Sequence, residues 1–148
     1  MRKINILAFG ATLLLAPAAF AAGQGTPEEA QAMVARAAEL VKSVGPEKAF
    51  AEFNAKDGAW HDRDLYVTVA DAGGLAWANG ANPGLVGKSV LELKDPDGKP
   101  FLRETLAIKD TGNVTFRWLN PLSHAIEAKT IYIVHVGDYT VGVGAYAK

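Results

Sequence analysis

Cysteine is absent from this 148-residue chain, which excludes disulfides, thiolate nucleophiles and cysteine metal sites and leaves stability to packing and hydrogen bonds. Histidine is scarce: His61, His124 and His135 are the only ones, no two are spaced like ligands on one helix face or hairpin, and carboxylates lie near only His61. Serine occurs only at Ser43, Ser89 and Ser123, none in a Gly-x-Ser-x-Gly elbow that would expose a nucleophile. Asp62 with Asp64, and Asp95 with Asp97, alternate as calcium ligands do, but neither pair runs on to a terminal glutamate. Gly87-Lys88-Ser89 resembles the end of a phosphate-binding loop, yet the motif glycine is missing where Asn82 stands. No carboxylate pair is singled out for glycosidase-type work. The pattern points to a binding protein rather than an enzyme, with no metal and no cofactor. A basic face is lacking as well: 15 Lys and Arg oppose 16 Asp and Glu, for a formal net charge of −1, so nucleic acid and anionic lipid are poor partners.

Long apolar runs are missing beyond the start of the chain. Arg2 and Lys3, the apolar stretch Ile6 to Ala16 and the small-x-small site Ala19-Phe20-Ala21 together read as a signal peptide over 1–21. That stretch falls short of the roughly 18–20 apolar residues a spanning helix needs. The expected product is one domain over 22–148, exported to a bacterial periplasm, with no membrane insertion of the mature chain.

Within that domain the first period is helical. Thr26-Pro27-Glu28-Glu29 combines a capping threonine, a proline at the first helical position and a glutamate three residues past the cap. The spacing of Ala30, Met33, Val34, Ala37, Leu40, Val41 and Val44 predicts one buried stripe on a helix over 27–44, and Gly45-Pro46 ends it. A short helix over about 47–54 should bury Ala49, Phe50 and Phe53. From Asp64 the period changes to two, and strands are expected at 64–71, 75–78, 113–119, 129–136 and 139–146, with a helix at about 100–109. Gly73-Gly74 and Gly137-Asp138 are hairpin turns, and Asn79 to Ser89 is a polar loop. Helices gathered at the start and strands joined by hairpins predict an α+β domain: an antiparallel sheet of about five strands with the N-terminal helix packed on it.

Tyr66, Trp77, Phe116, Trp118, Tyr132 and Tyr139 all fall on expected strands, where one sheet face can present several of them to a cavity or simply fill a core. Lys129 opens an otherwise apolar strand, and its ammonium is a compact donor suited to an acid group or to solvent.

Several spaced motifs agree in order with one family. Tyr66-x-x-x-x-Asp71-x-x-Gly74, Ala78-Asn79-Gly80-Ala81-Asn82-Pro83-x-Leu85-Val86-Gly87-Lys88, Asp95-x-Asp97-Gly98-Lys99-Pro100, Phe116-x-Trp118-x-Asn120-Pro121, Lys129-x-x-Tyr132-Ile133 and Gly137-Asp138-Tyr139-x-Val141-Gly142-x-Gly144-x-Tyr146 resemble the single Cache domains, second type, of bacterial extracytoplasmic sensors. The resemblance implies a fold like PAS and profilin domains, with a ligand cavity under loops on the sheet face opposite the N-terminal helix. It implies a small organic acid or similar metabolite as ligand, held by Tyr66, Asn79, Asn82, Trp118, Lys129 and Tyr132. Members often carry histidine where this chain has Asn79, and asparagine cannot become cationic. Members also commonly sit outside a membrane receptor or histidine kinase. With no transmitter before Lys148, this chain is expected to signal through such a separate partner. The alternative is a protein-interaction module whose cavity its own aromatics close.

Overall fold

The structure, a computed structural model, describes residues 23–147. The expected signal peptide over 1–21 lies outside the described residues.

Thr26 and Glu29 cap the first helix, α1 (Pro27–Val44), reciprocally: the Thr26 N–H donates to Glu29 Oε2 at 2.8 Å and the Glu29 N–H to Thr26 Oγ1 at 3.1 Å. Its stripe of Ala30, Met33, Val34, Ala37 and Val41 is buried, whereas Val44, expected to close that stripe, is exposed in the last turn. Helix α2 (Pro46–Asn54) adds Ala49, Phe50 and Phe53. The stripe and these three residues meet Leu65, Val67, Val69, Val141, Val143 and Ala145 in the main core.

The strands are β1 (His61–Asp62), β2 (Leu65–Asp71), β3 (Ala76–Asn79), β4 (Thr111–Leu119), β5 (Ile126–Val136) and β6 (Tyr139–Tyr146), and every pairing is antiparallel. The order runs β1-β2-β6-β5-β4, with β3 also on β2. The five long strands are the expected ones. The addition is β1, whose two residues are too few to show a period. Asp64, expected to open a strand, instead lies fully buried in the turn before β2. Strand β3 starts one residue later than expected, because Leu75 bridges to Ser89. Strand β5 starts three residues earlier, because Ile126 to Ala128 pair with Arg117 to Leu119 beyond the apolar part of the sheet.

Alternation gives the sheet two faces. Leu65, Val67, Val69, Val141 and Val143 point to α1 and α2. The other face is roofed by the Asn79 to Pro100 segment, which contains a 3-10 turn at Pro83–Leu85, and by α3 (Phe101–Ala107). Leu85, Val90, Leu93, Leu102 and Leu106 pack there over Ala70 and Ala76, while Phe101 stacks on Phe116 at 4.0 Å.

Asp71 closes the β2–β3 turn. Its Oδ1 accepts from the Gly73 and Leu75 N–H groups at 3.0 Å each, and its Oδ2 from Trp77 Nε1 at 3.0 Å. The Trp77 indole, and behind it the backbone N–H groups of Leu75, Gly73 and Gly74, outweigh partial desolvation and hold the carboxyl below its usual range. A depressed folded-state pKa contributes stability that is complete above the unfolded value of about 3.9 and lost as pH falls through the folded one. Asp71→Asn should therefore be less stable than the wild type in urea at pH 5, with the gap closing by about pH 2–3. The same gap at both pH values would refute the account.

Candidate functional site

Lys129 is the fourth residue of β5, inside the strand rather than at its start, with 3% of its surface exposed. Its Nζ donates to Tyr66 Oη at 2.7 Å and sits 4.1 Å from the centre of the Tyr66 ring and 4.8 Å from that of Tyr146. Among the described residues, no carboxylate lies within ion-pair distance of it. An ammonium held in this way has lost most of its water, and among the described residues two aromatic rings and one phenol oxygen compensate it.

The charge borders a cavity of about 80 Å³ between the sheet and its roof. Tyr66, Thr68, Lys129 and Asn79 supply polar atoms at its wall, and Phe101, Phe116, Trp118, Ile131 and Ile133 are among its apolar surfaces. Phe101 packs edge-on against Trp118 at 5.1 Å, which stiffens that wall. The volume is several times the 10–15 Å³ or so that one water occupies on this measure, so it suits a ligand of only a few heavy atoms.

Of the six residues expected to hold a ligand, Tyr66, Asn79, Trp118 and Lys129 come together around this cavity. Tyr132 does not: counting by twos from Lys129 puts Ile131 and Ile133 on the cavity face and Tyr132 on the other, where it packs against the helix-side core. Asn82 does not reach the cavity either. It is exposed and caps the 3-10 turn, its Oδ1 accepting from the Gly84 N–H at 3.1 Å. Asn79 stands at the rim with its Oδ1 engaged by the Ala81 and Asn82 N–H groups at 3.1 and 2.9 Å. That leaves its Nδ2 as the donor it can offer a ligand. Trp77 and Tyr139 belong to the helix side, packed on Phe50.

Tyr146 was not among the expected site residues. Strand β6 places it directly across from Lys129. Burial first, and then the neighbouring Tyr66 hydroxyl, push its phenol far above the ordinary tyrosine range, so it stays neutral and donates to the Leu119 carbonyl at 2.7 Å. A signal for it exists in the sequence: a two-residue turn at Gly137-Asp138 pairs Val136 with Tyr139, and counting outward pairs Lys129 with Tyr146. His61, paired with Tyr66 across β1–β2, stands at 90° to its ring at 6.3 Å. Its Nε2 is buried without a hydrogen-bond partner among the described residues.

Beyond Tyr146 a polar knot joins the entry of the chain to the β4–β5 hairpin. Asp64 Oδ1 accepts from the Gly25 N–H at 2.7 Å, and Asn120 Nδ2 donates to Asp64 Oδ2 at 3.2 Å and to Glu127 Oε2 at 2.7 Å. Gln24 and Ser123 complete the Glu127 carboxylate at 2.7 and 2.8 Å. The Asn120 amide, then the Ser123 hydroxyl and, beyond the opposing desolvation, the Gln24 amide hold Glu127 below the usual glutamate range. Among the described residues, no group of three or more histidines and carboxylates is arranged to hold a metal ion, and no helix is long and apolar enough to cross a membrane.

Comparison with known proteins gives a consistent picture. The family profile described as single Cache domain 2 matches residues 13–148. Over 91 residues the chain is 32% identical to the methyl-accepting chemotaxis protein McpP of Pseudomonas putida, covering 58% of this chain and 17% of that protein. Among solved structures, a methyl-accepting chemotaxis protein from Vibrio parahaemolyticus superposes with a TM-score of 0.70 at 21% identity, over 80% of this chain and 86% of that one. A Cache chemosensory domain whose structure explains carboxylic acid recognition superposes with a TM-score of 0.68 at 23% identity, over 82% and 92%. The periplasmic sensor domain of a chemotaxis protein gives 0.61 at 22%, over 82% and 90%. At these identities the superpositions establish a shared fold.

Proposed function

Because this chain belongs to the single Cache domain 2 family, we propose that it is a sensor domain that binds a small monocarboxylate and transmits its presence to a separate partner, such as a membrane receptor or a histidine kinase. It acts by binding, without turning its ligand over. The observation that carries this reading is Lys129: a buried cation facing a small, mostly apolar cavity with no acid partner among the described residues. A carboxylate entering the cavity supplies the missing charge, the Tyr66 hydroxyl offers a second contact, and Phe116 and Trp118 suit a short carbon tail. One cation favours a monoacid over a diacid. The carboxylic acid recognition attributed to a structural neighbour supports the same ligand class. The open cavity favours a ligand site over a closed interaction module. The reading extends to export, with removal of 1–21 and a periplasmic location, which intact-mass analysis of fractionated cells checks.

The test is titration calorimetry with acetate, propionate, succinate and propionamide. Saturable binding of the monoacids is expected, with weaker or no binding of succinate and none of the neutral amide. At about 100 times its dissociation constant a bound acid adds about 2.7 kcal/mol of stability, which raises the melting midpoint by several degrees. Propionamide binding as well as propionate would defeat the reading.

A further inference from the structure

Resting on that reading of Lys129, we propose that Gly144 is the positioning residue that seats the binding cation. Lys129 belongs to β5 and its partner Tyr66 to β2, but these strands are not neighbours, because β6 runs between them. Two strand spacings separate them, about 9–10 Å, so the lysine can meet the phenol only by lying across β6. The register fixes where it crosses. Val67 pairs with Val143, which puts Tyr66 beside Gly144, and Gly144 pairs with Ile131, two residues along β5 from Lys129.

A Cβ on Gly144 would fall 2.1 Å from Lys129 Cε and 3.1 Å from its Cγ and Cδ. The stem therefore occupies the space that any side chain at 144 would fill. The backbone does not explain this glycine, since its φ is not among the positive values found elsewhere in the chain. A glycine inside a strand forfeits packing and weakens pairing, so it marks a close approach by something else. Here that something is the lysine.

Four proteins expressed from the full sequence decide the matter: wild type, Gly144→Ala, Gly142→Ala and Lys129→Met. The obstacle in Gly144→Ala is the far end of a flexible side chain, so the fold yields by moving the lysine. Gly142→Ala is the comparison, because its Cβ meets Ile131 Cδ1 at 2.7 Å and Thr68 Oγ1 at 3.2 Å instead. Reductive methylation followed by peptide mass spectrometry reads the seat of Lys129 without any ligand. Slow modification is expected in the wild type and in Gly142→Ala, and markedly faster modification in Gly144→Ala. Propionate titration then reads the consequence, with affinity falling about tenfold or more in Gly144→Ala. Protection of Lys129 in Gly144→Ala overturns the proposal, and so does wild-type propionate affinity in a Gly144→Ala protein whose lysine has become reactive. Wild-type affinity in Lys129→Met overturns the reading of the site and the ligand role of Gly144 with it. In that case the methylation arm still supports or refutes the seating of Lys129 by Gly144.

Discussion

Lys129→Met is expected to weaken carboxylate binding by about 2–5 kcal/mol, the range seen when one member of a buried hydrogen-bonded charge pair is removed. The cost is large because the carboxylate would still leave water on entering the cavity and would meet only uncharged polar groups, such as the Tyr66 hydroxyl, and apolar surface. Stability should change far less, and two opposing effects say why. Methionine retains most of the stem that lies over Gly144 and removes an ammonium buried without an acid partner, which is stabilising. Against that, the Tyr66 oxygen loses the donor at 2.7 Å, a loss of about 1 kcal/mol. The melting midpoint should therefore stay within a few degrees of wild type while propionate binding collapses. Calorimetric titration beside a thermal melt checks both halves. A folded Lys129→Met protein that binds propionate unchanged would place the charge outside the recognition chemistry, and a protein that fails to fold would show that the lysine is structural.

How much of this was legible in the sequence depended on how local each cause is. The capping box, the helix stripe and the Gly137-Asp138 turn are determined within a few residues, and the elements they define lie where the spacing placed them. The polar residues were harder. Tyr132 fits the same motif as Lys129, but the two are three apart on a strand, and an odd interval puts them on opposite faces; here period two overrides the motif. Asn82 carries the composition of a ligand-binding loop, yet an asparagine before Pro-Gly is equally suited to cap a turn, and its side chain does so. Gly144 was unreadable for a different reason. Its lack of a side chain matters only once β6 is known to lie between Lys129 and Tyr66, and that order is a property of the whole sheet. Asp64 was read as the start of a strand because an aspartate before an alternating run is ordinary. Its burial follows from partners at Gly25 and Asn120, 39 and 56 residues away.

That burial leads to the second large effect. Asp64→Ala should destabilise the protein by about 3–5 kcal/mol, because it removes both acceptors of a fully buried carboxylate and leaves the Gly25 N–H and one proton of the Asn120 amide without partners. For a domain of this size that lowers the melting midpoint by roughly 10–20 °C. The isosteric Asp64→Asn is the more incisive variant. Its amide oxygen can still accept from Gly25, but its NH2 then faces Asn120 Nδ2, which is itself a donor. Asn120 cannot turn its amide over to accept, because its Oδ1 already takes the Leu122 N–H at 2.8 Å and its Nδ2 serves Glu127 at 2.7 Å. Equal size thus gives no rescue, and Asp64→Asn should lose most of what Asp64→Ala loses. The damage should appear first where the knot holds the chain: amide exchange at Gly25 and in the first turn of α1 should speed up before the β5–β6 core opens. Denaturant melts of both variants with hydrogen exchange read this directly. A wild-type melt for Asp64→Asn would mean that shape at this position, rather than a pair of acceptor oxygens, holds the entry of the chain to the hairpin.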